Sequence, residues 1–280
     1  MAARPHALLE LARRLLSPEE RDRIESLQVK DAGTGYDTFG LNADHVALGL
    51  AMAKPLYERY FRVISKGATS VPREGPAILA ANHSGTLPFD AAMLWADVIR
   101  ESGRVARPVG DPFVSNLPFI GTFFARGGMV SSARENVRAL LESGELVMIF
   151  PEGVPGIGKP FHERYHLTHW RIGHAALAIR LRAPVVPVAI IGAEEQMPQL
   201  AKLRRLGGLV GAPYVPLTLT PFPLPVRYRI HYGEAIALHE RFDPADADDP
   251  NKVREAAGLV KAAVEDLIQV GLRERTGIFR

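Results

Sequence analysis

From Val71 onward the chain repeats one pattern: a short apolar run, a turn, then a stretch with helical spacing. Apolar runs at 76–81, 105–110, 145–150, 184–191 and 226–232 read as strands, and helical stretches at 90–101, 131–143 and 165–181 separate most of them. Few folds accommodate such alternation. Runs without polar relief, such as 76–81 and 184–191, need cover on both faces of a sheet, and the intervening helices supply it. The expectation is an α/β fold with a mostly parallel central sheet flanked by helices. In such folds the loops at the carboxyl ends of the strands carry the chemistry.

The segment before this repeat is helical. Leu8, Leu9, Ala12, Leu15 and Leu16 share a helical face, and "SPEE" opens a second helix with Pro18 at its first position and acids in its first turn. A Gly/Asp-rich loop covers 30–44. A longer helix is expected over 43–65, kinked at Pro55, with enough apolar cover either to pack on the core or to rest on lipid. The boundaries follow: residues 1–66 form an N-terminal helical extension, membrane-apposed in the second of those readings, and 67–280 form the α/β domain. That domain includes a Pro- and Leu-rich insertion at 193–225, read as a lid or membrane-touching loop, and ends in an amphipathic helix at 251–272.

Composition narrows the chemistry. The chain has no cysteine, which excludes a disulfide scaffold, a thiolate metal site and a cysteine nucleophile. A net charge of +3 with no long Lys/Arg run argues against nucleic acid and is compatible with an anionic membrane surface or a phosphate-bearing substrate. The start has Arg within its apolar pattern, unlike a secretory leader, and no apolar run reaches the ~18–20 residues that span a bilayer. The expected location is cytoplasmic, peripheral on the inner face of the membrane.

Two loops follow strands. The first, "AANHSGTLPFD", ends an apolar run at Asn82-His83 and resumes at Asp90 after a turn containing Gly85 and Pro88. Six residues separate His83 from Asp90, so the carboxylate can fold back to accept the imidazole Nδ1–H and leave Nε2 free to take a proton. Asp90 as a helix cap and Asn82 as a turn residue are the structural alternatives. The second loop, "FPEGVPGIGKPF", resembles a P-loop only superficially. Pro160 replaces the hydroxyl residue after Lys159, and Pro155 and Pro160 remove N–H donors, which argues against nucleotide hydrolysis. What remains is Glu152 and Gly153 on a turn with Lys159 nearby, a place to bind a polar or anionic group.

A third element, "GTFFARGG", sets Arg126 after an aromatic pair and before two glycines. It is either a surface residue packed on Phe or a fork-shaped donor for phosphate. His162, His166 and His169 would share a helical face, but no ligand-spaced carboxylate completes a metal site, and none is assigned. No G-x-S-x-G elbow is present, which disfavours a serine hydrolase.

Taken in order, these blocks resemble the phospholipid/glycerol acyltransferase family, which includes the lysophosphatidic acid acyltransferases. The resemblance runs from about Tyr60 to Ile236. It rests on Asn82, His83 and Asp90; on Gly121, Phe124 and Arg126; on Phe150 to Gly153; and on the Val-Pro-Val strand Val186 to Val188. Two departures stand out. Six residues lie between His and Asp where the family has four, and Val154-Pro155 replaces the Thr-Arg that usually follows Pro-Glu-Gly.

The resemblance implies a glycerolipid-acyltransferase-like fold. It implies transfer of an acyl group from acyl-CoA or acyl-carrier protein to a hydroxyl of a lysophospholipid or glycerolipid, 1-acylglycerol-3-phosphate being the reference acceptor. His83 and Asp90 would be catalytic. Asn82, Gly85, Gly121, Phe124, Arg126, Glu152, Gly153 and Lys159 would bind substrate, with no metal and no cofactor beyond the acyl donor. A neutral glyceride acceptor, an acyl-thioester hydrolase and a non-catalytic lipid-binding scaffold are the competing expectations.

Overall fold

The computed structural model describes residues 5–27, 29–207 and 214–280. Its strands are β1 (Ile64–Lys66), β2 (Ala77–Ala81), β3 (Ala106–Gly110), β4 (Val130–Ser131), β5 (Leu146–Ile149), β6 (Val185–Ile191), β7 (Gln199–Leu203), β8 (Val215–Thr218) and β9 (Arg229–Tyr232). Seven of them form one sheet in the order β1-β9-β6-β2-β5-β3-β4, while among the described residues β7 and β8 pair only with each other. Every neighbouring pair in the large sheet is parallel except β6 with β9. All five strand expectations from the sequence have counterparts here.

β2 lies at the centre and shows why the alternation dictates this fold. All five of its residues are buried. Ala77, Leu79 and Ala81 point into an apolar cluster built with Val46, Leu50, Met93 and Ile99 of the helices Ala43–Pro55 and Phe89–Ser102. Ile78 and Ala80 point the other way, into a cluster with Ile179, Val260 and Val264 of the helices Gly173–Arg180 and Pro250–Glu274. The two-residue period of a strand thus divides one short segment between two cores. Each fully buried Leu or Ile contributes roughly 1.5–3 kcal/mol.

The helices 5–15 and 18–25 form as expected, the second with a capping box between Ser17 and Glu20. Ala12, Leu16, Ile24 and Val46 join the same apolar cluster as Leu79, so the core alternative holds for the 43–55 helix. That helix is shorter than its apolar cover suggests. It stops at Pro55, gives way to a wider π-helical turn at Leu56–Tyr60, and is followed by β1, which the apolar pattern alone assigns to the same helix. β1 is therefore a sheet strand that precedes residue 67.

The expected helix over 165–181 is reduced to Gly173–Arg180. Tyr165 has a φ of 65°, outside right-handed helix, and the backbone N–H groups of Tyr165 and Thr168 donate to the carboxylates of Glu194 and Glu152 rather than to a helical ladder. His166 and His169 accordingly do not share a helical face. The 193–225 insertion contains a short helix, Ala193–Gln196, and the β7–β8 hairpin, with 208–213 outside the described residues. Among the described residues no helix is long and apolar enough to cross a membrane.

Candidate active site

β2 and β5 run side by side with Ala80 opposite Ile149, so Asn82-His83 and Phe150-Pro151-Glu152 leave the sheet at the same edge. The loop from His83 must then turn back for Asp90 to meet it. Gly85 makes that turn with a φ of 85°, and a Cβ there would lie 2.8 Å from the Ala193 carbonyl oxygen, so only glycine fits. The chain enters the helix at Phe89 and places Asp90 in its first turn, fully buried.

Asp90 Oδ2 lies 2.7 Å from His83 Nδ1 and also accepts the Ser84 main-chain N–H at 2.9 Å, while Oδ1 accepts the Ala91 N–H at 2.8 Å. The carboxylate thus both serves the helix start and orients the imidazole. With the Nδ1 proton directed at Asp90, Nε2 carries the lone pair. The imidazole stacks on the Phe150 ring at 4.2 Å and 27°, which fixes its plane. It keeps 11% of its side-chain surface open. The six-residue spacing therefore brings the carboxylate onto the imidazole.

Beneath this dyad lies a buried charge cluster. Glu152 Oε1 accepts the His83 main-chain N–H at 3.0 Å, and its Oε2 accepts the Thr168 N–H at 2.7 Å and hydroxyl at 2.9 Å. Lys159 Nζ lies 3.4 Å from Glu152 Oε2 and 3.0 Å from Glu194 Oε1, and donates to the His166 carbonyl. One ammonium thus serves two buried carboxylates. Burial, opposed by Lys159 and reinforced by the Glu152 charge, pushes the Glu194 carboxyl up to about 7. Gly156 lets the turn close over this cluster, since a Cβ there would meet Glu152 Cβ at 2.7 Å and the His83 carbonyl at 2.9 Å. A cavity of about 10 Å³ between Gly85, Gly156, Lys159 and Glu194 has room for one water.

The remaining expected site residues sort by position. Asn82 is fully buried and closes the ladder, its amide donating to the Ile190 carbonyl at 3.0 Å and its Oδ1 accepting the Ile190 N–H at 2.7 Å. Gly153 opens the short turn Val154–Ile157. Gly121, Phe124 and Arg126 lie on the helix Ile120–Arg126. Gly121 lines an open groove of about 340 Å³ with Phe39, Thr122 and Asn136, and neither His83 nor Asp90 lines it. Phe124 is half-buried beside Phe123.

Arg126 lies over the Tyr36 ring, with Nη1 3.1 Å from His45 Nε2. His45 Nδ1 in turn lies 2.9 Å from Asn42 Oδ1, a pairing that makes Nε2 the acceptor from Arg126. Burial and the Arg126 charge hold the His45 pKa below the ordinary imidazole range. Of the cations expected to face an acceptor, Lys159 is thus internal and Arg126 engages the N-terminal segment.

Sequence reasoning missed Thr168, which braces Glu152; Glu194, which holds Lys159; and Tyr165, whose N–H braces Glu194. The one signal was Glu194-Glu195, an acid pair directly after the apolar strand β6. Both are buried, and Arg275 binds Glu195 with contacts of 2.7 and 2.8 Å to its two oxygens.

The Acyltransferase family model matches residues 62–191, a span that holds the dyad, Arg126 and the Glu152 turn. An uncharacterized protein of Mycobacterium tuberculosis is 37% identical over 244 residues, covering 82% of this chain and 68% of its own length. The human protein described as DGAT1/2-independent enzyme synthesizing storage lipids is 28% identical over 204 residues, covering 72% of this chain and 59% of its own. The crystal structure of the 1-acyl-sn-glycerophosphate acyltransferase of Thermotoga maritima shares the fold, with a TM-score of 0.56, 15% identity and 97% coverage of both chains. The motifs read along the sequence, the matched span and the shared fold agree: this chain belongs to the phospholipid/glycerol acyltransferase family and is an O-acyltransferase.

Proposed function

We propose that the protein transfers a fatty acyl group from a thioester, acyl-CoA or acyl-carrier protein, to a hydroxyl of a glycerolipid at a membrane surface, with His83 as general base. The observation that carries this reading is the 2.7 Å contact between His83 Nδ1 and Asp90, which leaves Nε2 as the basic nitrogen. Nε2 removes the acceptor hydroxyl proton as the oxygen attacks the thioester carbonyl, and Asp90 stabilises the imidazolium. The C–S bond breaks, and the leaving thiolate takes the proton back from His83. The scheme balances without a metal or other cofactor, and a base so placed contributes ~10²–10⁴-fold. The Ser84 N–H is committed to Asp90 and the His83 N–H to Glu152, so neither serves the oxyanion.

The acceptor reading turns on the two cations. Lys159 is 7% exposed between two carboxylates, and Arg126 engages His45. This favours a neutral glyceride over 1-acylglycerol-3-phosphate, in keeping with the storage-lipid description of the human relative. The protein then acts peripherally, on the inner membrane face.

The test supplies purified protein with labelled acyl-CoA or acyl-carrier protein and either a mono- or diacylglycerol or a lysophosphatidic acid, and identifies the product by mass. An acylated neutral glyceride, lost in His83→Ala, is the expected result. Thioester cleavage that is independent of acceptor would make the protein a hydrolase, and preference for the phosphorylated acceptor would restore the phosphate-binding reading.

A further inference from the structure

We infer that the β7–β8 hairpin is the surface by which the protein docks on an anionic lipid bilayer, an inference that rests on the proposed lipid acceptor and adds the element that meets the membrane. The first ground is charge. Residues 197–225 contain no Asp or Glu, but they carry Lys202, Arg204 and Arg205, and Arg205 is exposed. Cations interleaved with Leu, Val and Phe suit the headgroup region of an anionic bilayer, where apolar side chains enter and basic ones remain among the phosphates.

The second ground is the division of the hairpin's faces. Side chains alternate along a strand, so Lys202 and Pro216, paired in register, lie on one face, while Ala201, Leu203, Val215 and Leu217 lie on the other. The Lys202 face covers the active-site turn. A Cβ at Gly158 would come within 2.5 Å of Lys202 Nζ and 2.8 Å of the Tyr214 hydroxyl, and Gln199 donates to the Gly158 carbonyl at 2.8 Å. On the opposite face and in the turn that follows, Leu203, Leu217, Leu219 and Phe222 are 39–77% exposed. Among the described residues β7 and β8 pair with no other strand, so the sheet does not cover that face. Apolar side chains grouped in this way mark an interaction surface, where scattered ones would not.

The third ground is continuity with the site. Thr86 donates to the Met197 carbonyl and Gln196 to the Leu87 carbonyl, both at 3.3 Å, so the loop joining His83 to Asp90 abuts the base of the hairpin. Leu87, on that loop, is 40% exposed. A bilayer on the hairpin would therefore bring a lipid acceptor in at the level of the dyad. A second copy of the chain fits less well, because this acid-free segment would offer Arg205 of a two-fold partner no carboxylate to pair with.

The test uses the full-length protein and sedimentation with vesicles of phosphatidylcholine, with and without phosphatidylglycerol. Wild type should bind the phosphatidylglycerol vesicles. The double change Leu217→Ser with Leu219→Ser should weaken that binding by roughly tenfold or more, yet leave turnover of a short-chain acceptor dissolved as monomers unchanged. Arg205→Glu should weaken binding only to the anionic vesicles and only at low salt. In a gain-of-signal variant, Leu219→Trp, the new indole should be quenched by brominated lipid.

Absence of vesicle binding by wild type, undiminished binding by the double variant, or an indole left unquenched in the Leu219→Trp variant would each overturn the inference. So would a wild-type dimer that the double variant dissociates, since a second copy would then occupy the face. Vesicle binding that depends on the hairpin without any acyl transfer would instead reject the proposed reaction and leave the docking surface standing.

Discussion

Glu152 holds His83 by its backbone rather than by its ring: the carboxylate Oε1 accepts the His83 main-chain N–H at 3.0 Å. The acid of the Phe-Pro-Glu-Gly turn thus positions the base delivered by β2, and it is itself held by Thr168 and Lys159. Glu152→Gln keeps an acceptor for the N–H but removes the charge opposite a buried ammonium. It should lower kcat by roughly tenfold with little change in KM, as expected for a residue that acts through another. Glu152→Ala leaves the N–H and the ammonium without this partner and should also destabilise the fold by about 2–4 kcal/mol, read by denaturant titration.

Asp90→Asn tests the imidazole tautomer. If the amide oxygen keeps the Ala91 N–H, its nitrogen takes the Oδ2 position, faces Nδ1 as a donor and leaves the Ser84 N–H without its acceptor. Nδ1 then accepts and Nε2 carries the proton, the wrong form for a base. The variant should fold and should lose on the order of 10²-fold in kcat/KM, less than His83→Ala. The lost activity should not recover at higher pH, because the tautomer rather than the charge is at fault. Steady-state rates across a pH series decide it.

Glu194 sets a stability slope. Its folded carboxyl is pushed up to about 7 from an ordinary 4.5, because burial and the nearby Glu152 charge outweigh the pull of Lys159. Between those values the folded state holds a proton that the unfolded chain has lost, so unfolding free energy falls as pH rises. The contribution is complete below about 4.5 and gone above about 7. At about 1.4 kcal/mol per pH unit, the wild type should lose roughly 3 kcal/mol across that window from this group. Glu194→Gln should flatten the slope, measured by urea denaturation at the two ends.

The alternation of apolar runs and helices was legible because β2, β5 and β6 are buried on both faces and must be written in apolar residues. The dyad was legible because Gly85 and Pro88 mark a turn and only a short return path lies between His83 and Asp90. β1 was not, since Ile64–Lys66 directly follows an apolar helix and becomes a strand only by pairing with β9, far along the chain. The loop over 164–172 was missed for a similar reason. Its local spacing suits a helix, and the carboxylates that claim its N–H groups come from Glu152 and Glu194. Lys159 reads from the sequence as available to an acceptor because Glu194, one of the two carboxylates that hold it, lies 35 residues on.

Arg126→Ala separates the two acceptor readings. The guanidinium donates to His45 Nε2 at 3.1 Å and lies over Tyr36, so its removal should cost about 1 kcal/mol of stability. It should also raise the His45 pKa back toward the ordinary imidazole value, because one cause of the depression is gone. If Arg126 braces the N-terminal segment, KM for a neutral glyceride and for a lysophosphatidic acid should change by the same factor. If instead the side chain leaves His45 to grip a phosphate, KM for the phosphorylated acceptor alone should rise by roughly tenfold or more, the loss of a charge-assisted pair. Paired kinetics on the two acceptors, with His45 followed by NMR titration, distinguish a brace from a phosphate clamp.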